Sequence, residues 1–356
     1  MTQLKRIAAL LLALVIALPV LSSCAGSVTE NRLSEVDWSR APIAWLAVRE
    51  DTLYYIDYSL WMTVCLMKAG DGMPKVIDSN LYAFHRANKV SFSFDKKMQI
   101  VGDILYVGGD ADSPNIMSIA AYDLDTDKFL RYIDLDADIG IAHNAEWQIY
   151  ENCIVYSIRY EDVEYVENHD HLYVKALDGD AGYRKIAECV ETFKVIGNAL
   201  YYMQFRDGVY TVSKAEYLPE EGTFGDGVPI AQGEIEGEFY YSNLNLSGVY
   251  IDGESQICRY ARFLPYDQDA QTYDFISAEK LFLADHAIFW IDDLGALRRT
   301  DPRDGSTQMI KGDFIESYNW RDDVYTPSDD EICFMNDKCI TLYSAGKEPQ
   351  VLFKRS

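Results

Sequence analysis

Asn198-Ala-Leu-Tyr-Tyr-Met-Gln-Phe-Arg-Asp-Gly-Val-Tyr-Thr-Val-Ser213 holds two runs rich in aromatic and β-branched residues around the dipeptide Asp207-Gly208. Such residues suit the pleated, half-buried surface of a strand, and Asp-Gly accepts the positive φ of a tight hairpin turn. The stretch therefore reads as a β-hairpin. Variants recur along the chain, marked by the pairs Leu53-Tyr54, Leu105-Tyr106, Val155-Tyr156, Leu200-Tyr201, Val249-Tyr250, Ile288-Phe289 and Ile332-Cys333. The intervals between them are roughly 40–50 residues, the period of four-stranded propeller blades.

Each repeat runs through an apolar opening strand, the strand with the marker pair, a third strand, a Gly/Asp turn and a closing strand. In the third repeat the closing strand is Lys185-Ile-Ala187, and Phe193-Lys-Val195 opens the fourth. The fourth carries an insertion, Leu218 to Pro229, before its last strand. No stretch after the first residues sustains helical periodicity. The expectation is an all-β chain whose residues 43–356 form a single β-propeller of four-stranded blades, seven in number, with six or eight as the alternatives. A ring is preferred to an open stack because closure leaves no exposed edge strand to aggregate.

Residues 1–23 read as an export leader: Lys5 and Arg6 supply the charge, Ile7 to Val20 the apolar region, and small residues precede the cut. The apolar run is short for a membrane span. Leu21-Ser22-Ser23-Cys24 resembles a bacterial lipobox, which implies a diacylglyceryl group on the Cys24 thiol and cleavage just before it. Residues 24–42 then read as the lipidated Cys and a polar, flexible tether. The expected location is the outer, extracytoplasmic face of a bacterial cell membrane. There the acyl chains hold the protein through buried methylenes worth about 0.8 kcal/mol each.

The 356 residues include 57 acidic and 32 basic side chains, a net charge of −25, and loss of Lys5 and Arg6 takes the mature chain near −27. A field of that sign excludes nucleic acid as a partner and suits cations, basic peptides or simple solubility. Six cysteines lie beyond the leader, singly in strand-like runs, and read as buried free thiols. Cys333 and Cys339 are the one close pair, flanking Asn336-Asp337, and a two-residue turn there would set Cys339 opposite Phe334.

Phe289-Trp-Ile-Asp292, Leu297-Arg-Arg299 and Asp304-Gly-Ser306 resemble the Tyr-Trp-Thr-Asp repeat of low-density-lipoprotein-receptor-type propellers, and Tyr54-Tyr-Ile-Asp57 repeats the theme. With the lipobox, the chain resembles bacterial lipoproteins that carry such receptor-like propellers. The resemblance is firm over two repeats and implies a non-catalytic binding ring; it transfers no site residues, and the receptor family has six blades rather than seven.

Asp123, Asp125 and Asp127 alternate as the ligands of a looped Ca²⁺ site do, and so do Asp134, Asp136 and Asp138. The first run equally matches an ordinary blade turn. Glu167, His169 and His171 would share one face of an extended strand and supply two imidazoles and a carboxylate for Zn²⁺, although 160–170 also reads as a polar inter-strand loop. No nucleophile elbow, Walker loop or zinc-helix motif is present. Propeller geometry places a ligand on a broad face or in the central channel, where Trp147, Tyr150, Tyr165 and Trp320 are the candidate aromatic contacts; the alternative is that they pack between blades.

The sequence reading is thus a lipid-anchored binding or scaffold module for a protein, peptide or glycan, with no cofactor and no catalytic residues assigned. The alternative is an enzyme on the same scaffold, either a carbohydrate-active hydrolase or lyase or a quinone-type oxidoreductase.

Overall fold

The marker pairs are buried at both positions, and that double burial organises the molecule. In the computed structural model Leu53, Leu105, Leu200, Val249, Ile288 and Ile332 are fully covered, and the residue after each is 7% exposed or less. Successive strand residues point to opposite faces, so a sheet buried at both must be covered on both sides. The model describes residues 28–355 apart from 39–45, 61–62, 72, 80–91, 112–116, 136–145, 161–168, 179–181, 236–237, 255–258, 268–271, 276–277, 315–322 and 337. The leader, Cys24, Asp136, Asp138, Tyr165, Glu167, Cys258 and Trp320 lie outside the described residues.

The described chain is all-β: four antiparallel sheets have four strands each in sequence order, one has five, and one of eight joins two such units. The first unit uses Leu46–Arg49, Thr52–Leu60, Thr63–Ala69 and Lys75–Ser79, and the second runs from Phe92–Val101 to Lys128–Asp134. The third opens with Trp147–Tyr150 and the fourth closes with Val228–Glu234; the fifth spans 238–274, the sixth 278–311 and the seventh 323–355. Seven apolar clusters join these units pairwise. Tyr54 and Leu105 meet between the first and second, Tyr106 and Ile154 between the second and third, and Val155 and Leu200 between the third and fourth. Tyr201 meets Val249, Tyr250 meets Ile288, and Phe289 meets Ile332 at the next three seams. Cys333 and Leu53 share the last cluster, which joins the seventh unit to the first. In every unit the first residue of the pair faces the preceding sheet and the second faces the following one, which is a propeller-like arrangement.

Four expectations change in detail. The pair in the third unit is Ile154-Val155, one residue earlier than Val155-Tyr156, because Tyr150 pairs with Cys153 across the turn. Lys185-Ile-Ala187 and Phe193-Lys-Val195 are parts of one strand, Arg184–Ile196, that closes the third sheet and opens the fourth. A bulge between Val190 and Thr192, beside Cys189 at φ 55°, bends it from one sheet into the other. The polar segment assigned to the tether is partly ordered: Val28–Asn31 adds a fifth strand to the seventh unit beside Gln350–Arg355. Leu33 and Trp38 then enter the closing cluster. Finally, Cys339 stands beside Asn336, not opposite Phe334, and Phe334 pairs with Thr341.

Cys65, Cys153, Cys189, Cys333 and Cys339 are free thiols, and burial pushes the Cys153 thiol up to about 12, which leaves it unreactive. The insertion of the fourth unit folds back as the short strand Thr223–Phe224, whose Phe224 is fully buried at the seam with the third.

The residues that resemble the receptor repeat build turns. Asp292 accepts hydrogen bonds from the Leu294 and Ala296 N–H groups and pairs with Arg298 at 2.5 Å. Asp301 accepts from Nε and Nη2 of the Arg303 guanidinium at 2.9 and 2.5 Å, which holds its carboxyl down at about 2. A folded-state pKa below the unfolded value means a contribution that is complete above about pH 4 and lost as pH falls toward 2. Arg303 is exposed, so screening keeps this contribution to about 1 kcal/mol or less. Urea unfolding of Asp301→Asn beside the unchanged protein should show that gap at pH 6 and its narrowing by pH 3; a constant gap would mean the carboxylate is not what matters there.

Candidate functional site

The opening strands surround a cavity of about 1840 Å³. Its wall draws on every unit: Val48, Gln99, Trp147, Lys194, Ser242, Phe282 and Val324 each come from a different opening strand. The cavity is therefore an axial channel, and its lining is fixed by which residues fall in the opening strands and their turns.

Two glutamines organise this wall. Gln99 donates from Nε2 to the Ile149 carbonyl and accepts from the Ile149 N–H, both at 2.8 Å. Gln148 repeats the pattern on Val195, at 3.1 and 2.8 Å. Adjacent opening strands do not pair along their backbones, so each primary amide stands in for a strand and satisfies one donor and one acceptor that the seam would bury. Sequence reasoning missed both, although their signal was present: each lies three residues before a two-residue turn, Gly102-Asp103 or Glu151-Asn152.

Several of the channel's described charges are held in ion pairs. Arg49 pairs with Asp103 at 2.6 Å and Asp125 at 3.3 Å, Arg131 with Asp178 at 2.7 Å, Glu146 with Lys97 at 3.1 Å, and Lys214 with Glu216 at 2.6 Å. Glu50 and Glu151 stand exposed on turns at one mouth, both with φ near 50°. Lys194 differs. It is partly exposed, but only to the channel, and no ion pair or hydrogen bond holds it among the described residues. Burial drives its pKa down against the opposing pull of Asp285.

Trp147 and Tyr150 do line the channel, but their rings are held in packing. Trp147 is 1% exposed in the cluster between the second and third units, with its Nε1 unpartnered. Tyr150 packs edge-on against Tyr217 at 5.0 Å and beside Phe224.

Asp123, Asp125 and Asp127 do not converge. Asp123 caps its own turn by accepting from the Thr126 N–H and hydroxyl, Asp125 pairs with Arg49, and Asp127 pairs with Lys68. Their alternation is that of a blade turn, each carboxylate bound to a different cation or donor. Asp134 accepts from the Ser118 hydroxyl. His169 begins the strand His169–Ala176 opposite Tyr160, so the polar loop ends one residue before it, and His171 lies 3.4 Å from the Tyr173 hydroxyl. Among the described residues no three His, Cys, Asp or Glu side chains stand close enough together to hold a metal ion.

No family model matches the chain, and no curated protein matches it. Solved structures do. A post-proline cleaving enzyme from Rickettsia typhi is similar with a TM-score of 0.55 at 8% identity, over 88% of this chain and 53% of that one. Oligopeptidase B from Leishmania major is similar with a TM-score of 0.52 at 8% identity, over 88% and 49%. A prolyl endopeptidase gives 0.51 at 10% identity, over 90% and 50%. The chain spans about half the length of these structures. At such identities the likeness is one of fold alone, and it supports a propeller fold.

Proposed function

We propose that the chain is a lipid-anchored, extracytoplasmic seven-bladed β-propeller, closed by its own N-terminal strand, which binds or scaffolds a protein, peptide or glycan through its axial channel. The observation that carries this reading is the channel itself, walled by the opening strands of all seven units, with Gln99 and Gln148 clamping neighbours together. Such a wall is open, as a binding site needs, and its Glu146 and Asp178 carboxylates are held in ion pairs with Lys97 and Arg131 rather than poised for proton transfer. The lipobox-like stretch ending at Cys24 supplies the anchor. The acidic surface keeps the partner class away from nucleic acid.

The test has two arms on one expressed gene. Tritiated palmitate should label the unchanged protein and leave Cys24→Ser unlabelled; label on the variant, or none on either, would end the anchoring claim. On glycan and peptide arrays the protein should retain a restricted set of ligands, and free ligand should compete. Turnover of a glycoside or peptide substrate in place of retention would replace this reading with an enzymatic one.

A further inference from the structure

Lys194 occupies the place in the fourth unit that Gln99 and Gln148 hold in the second and third, three residues before the turn Gly197-Asn198. Both glutamines reach toward the following unit. Lys194 does the same: it stands opposite Tyr201, whose ring belongs to the cluster between the fourth and fifth units. An ammonium donates but does not accept, so it cannot form the reciprocal clamp. The seam that should be closed by an amide therefore presents a cation instead.

Other groups at this seam are also unsatisfied. Ser242 approaches from the fifth unit, opposite Ile251 of the same cluster. It is 7% exposed, lines the channel, and its Oγ has no hydrogen-bond partner among the described residues. Tyr266 stacks on Tyr201 at 6.2 Å and 6°, with its hydroxyl buried and likewise unpartnered. A buried polar group without a partner costs about 1–3 kcal/mol, so a cluster of them at one seam marks a place built for something that arrives from outside.

We propose that the channel edge of this seam is an oxyanion site, in which the Lys194 ammonium and the Ser242 hydroxyl receive a carboxylate or phosphate group of the ligand. The proposal rests on the channel being the ligand site. The ammonium can only donate and the hydroxyl can donate beside it, and the positive charge favours an anionic acceptor. The other charges around Lys194 are Glu191 on its own strand, Asp285 on a turn of the sixth unit, and Lys214, whose ammonium lies 5.8 Å from the Tyr201 ring centre and is already paired with Glu216. Burial lowers the pKa of Lys194 against the opposing pull of Asp285, and an oxyanion beside it favours the charged ammonium.

Calorimetric titration of the full chain tests this, with D-glucuronate, N-acetylalanine and inorganic phosphate as probes and glucose and N-acetylalanine amide as neutral counterparts. At least one oxyanion should bind at millimolar concentration with a measurable heat, while the neutral counterparts give none. The carboxylate and phosphate arms then distinguish the two sources. Lys194→Gln, which restores the clamp chemistry, should weaken binding roughly tenfold or more and leave the melting temperature unchanged or raised. Absence of binding by all three probes, or equal binding by Lys194→Gln, overturns the site. If an array ligand is still retained by the channel in either case, only the oxyanion site falls; if retention is also absent, the binding reading falls with it.

Discussion

Trp38→Ala is expected to destabilise the protein by about 3–5 kcal/mol, the usual cost of emptying a buried tryptophan position. The residue is 9% exposed, stacks on Tyr325 at 5.3 Å, and donates from Nε1 to the Leu33 carbonyl at 2.7 Å. Trp38, Tyr325 and Leu33 all belong to the cluster that joins the seventh unit to the first. Nearby, the Tyr325 hydroxyl donates to the Asp37 carbonyl, and Gln350 donates to Glu35. The substitution should therefore loosen closure specifically: urea midpoints fall, and amide exchange at Val28–Asn31 accelerates more than at Ala199–Arg206. A loss below about 1 kcal/mol would mean that 28–38 is only laid against the body, as an ordinary surface change would be.

Gln148→Leu should cost about 2–4 kcal/mol, because it leaves both the Val195 N–H and its carbonyl without a partner while keeping the volume of the side chain. Val195 is 7% exposed, so solvent offers little replacement. The comparison is Gln204→Leu, which removes an exposed bond to the Glu188 carbonyl and should stay within about 0.5 kcal/mol. Equal effects of the two would show that water in the channel satisfies Val195 as well as the amide does, and the clamp would then be ornamental to stability.

Much of the candidate site was present in the sequence without being legible there. Gln99, Gln148 and Lys194 share one offset from their turns, but an offset acquires meaning only when strands far apart in sequence are known to stand side by side. The His and Asp runs were conspicuous for the opposite reason: regular spacing resembles a ligand set, whereas in the fold the Asp123, Asp125 and Asp127 carboxylates diverge to different partners. Trp147 and Tyr150 line the channel, but their packing neighbours could not be read from one strand alone.

The sequence by itself determined the strand content, the repeat and the burial of each marker pair, because those follow from residue type at a fixed local period. It could not phase the run Cys153 to Ile158, which is buried at every position, so hydropathy carries no alternation there and only the turn pairing sets the register. It could not show that Arg184–Ile196 serves two sheets, since no glycine or proline interrupts it. Nor could it seat Val28–Asn31 as a fifth strand: an edge strand needs little more than backbone hydrogen bonds, and those are available to any sequence without proline. Which residues meet at the seams and along the axis was decided by the tertiary structure alone, because packing sheets face to face joins positions that no local period relates.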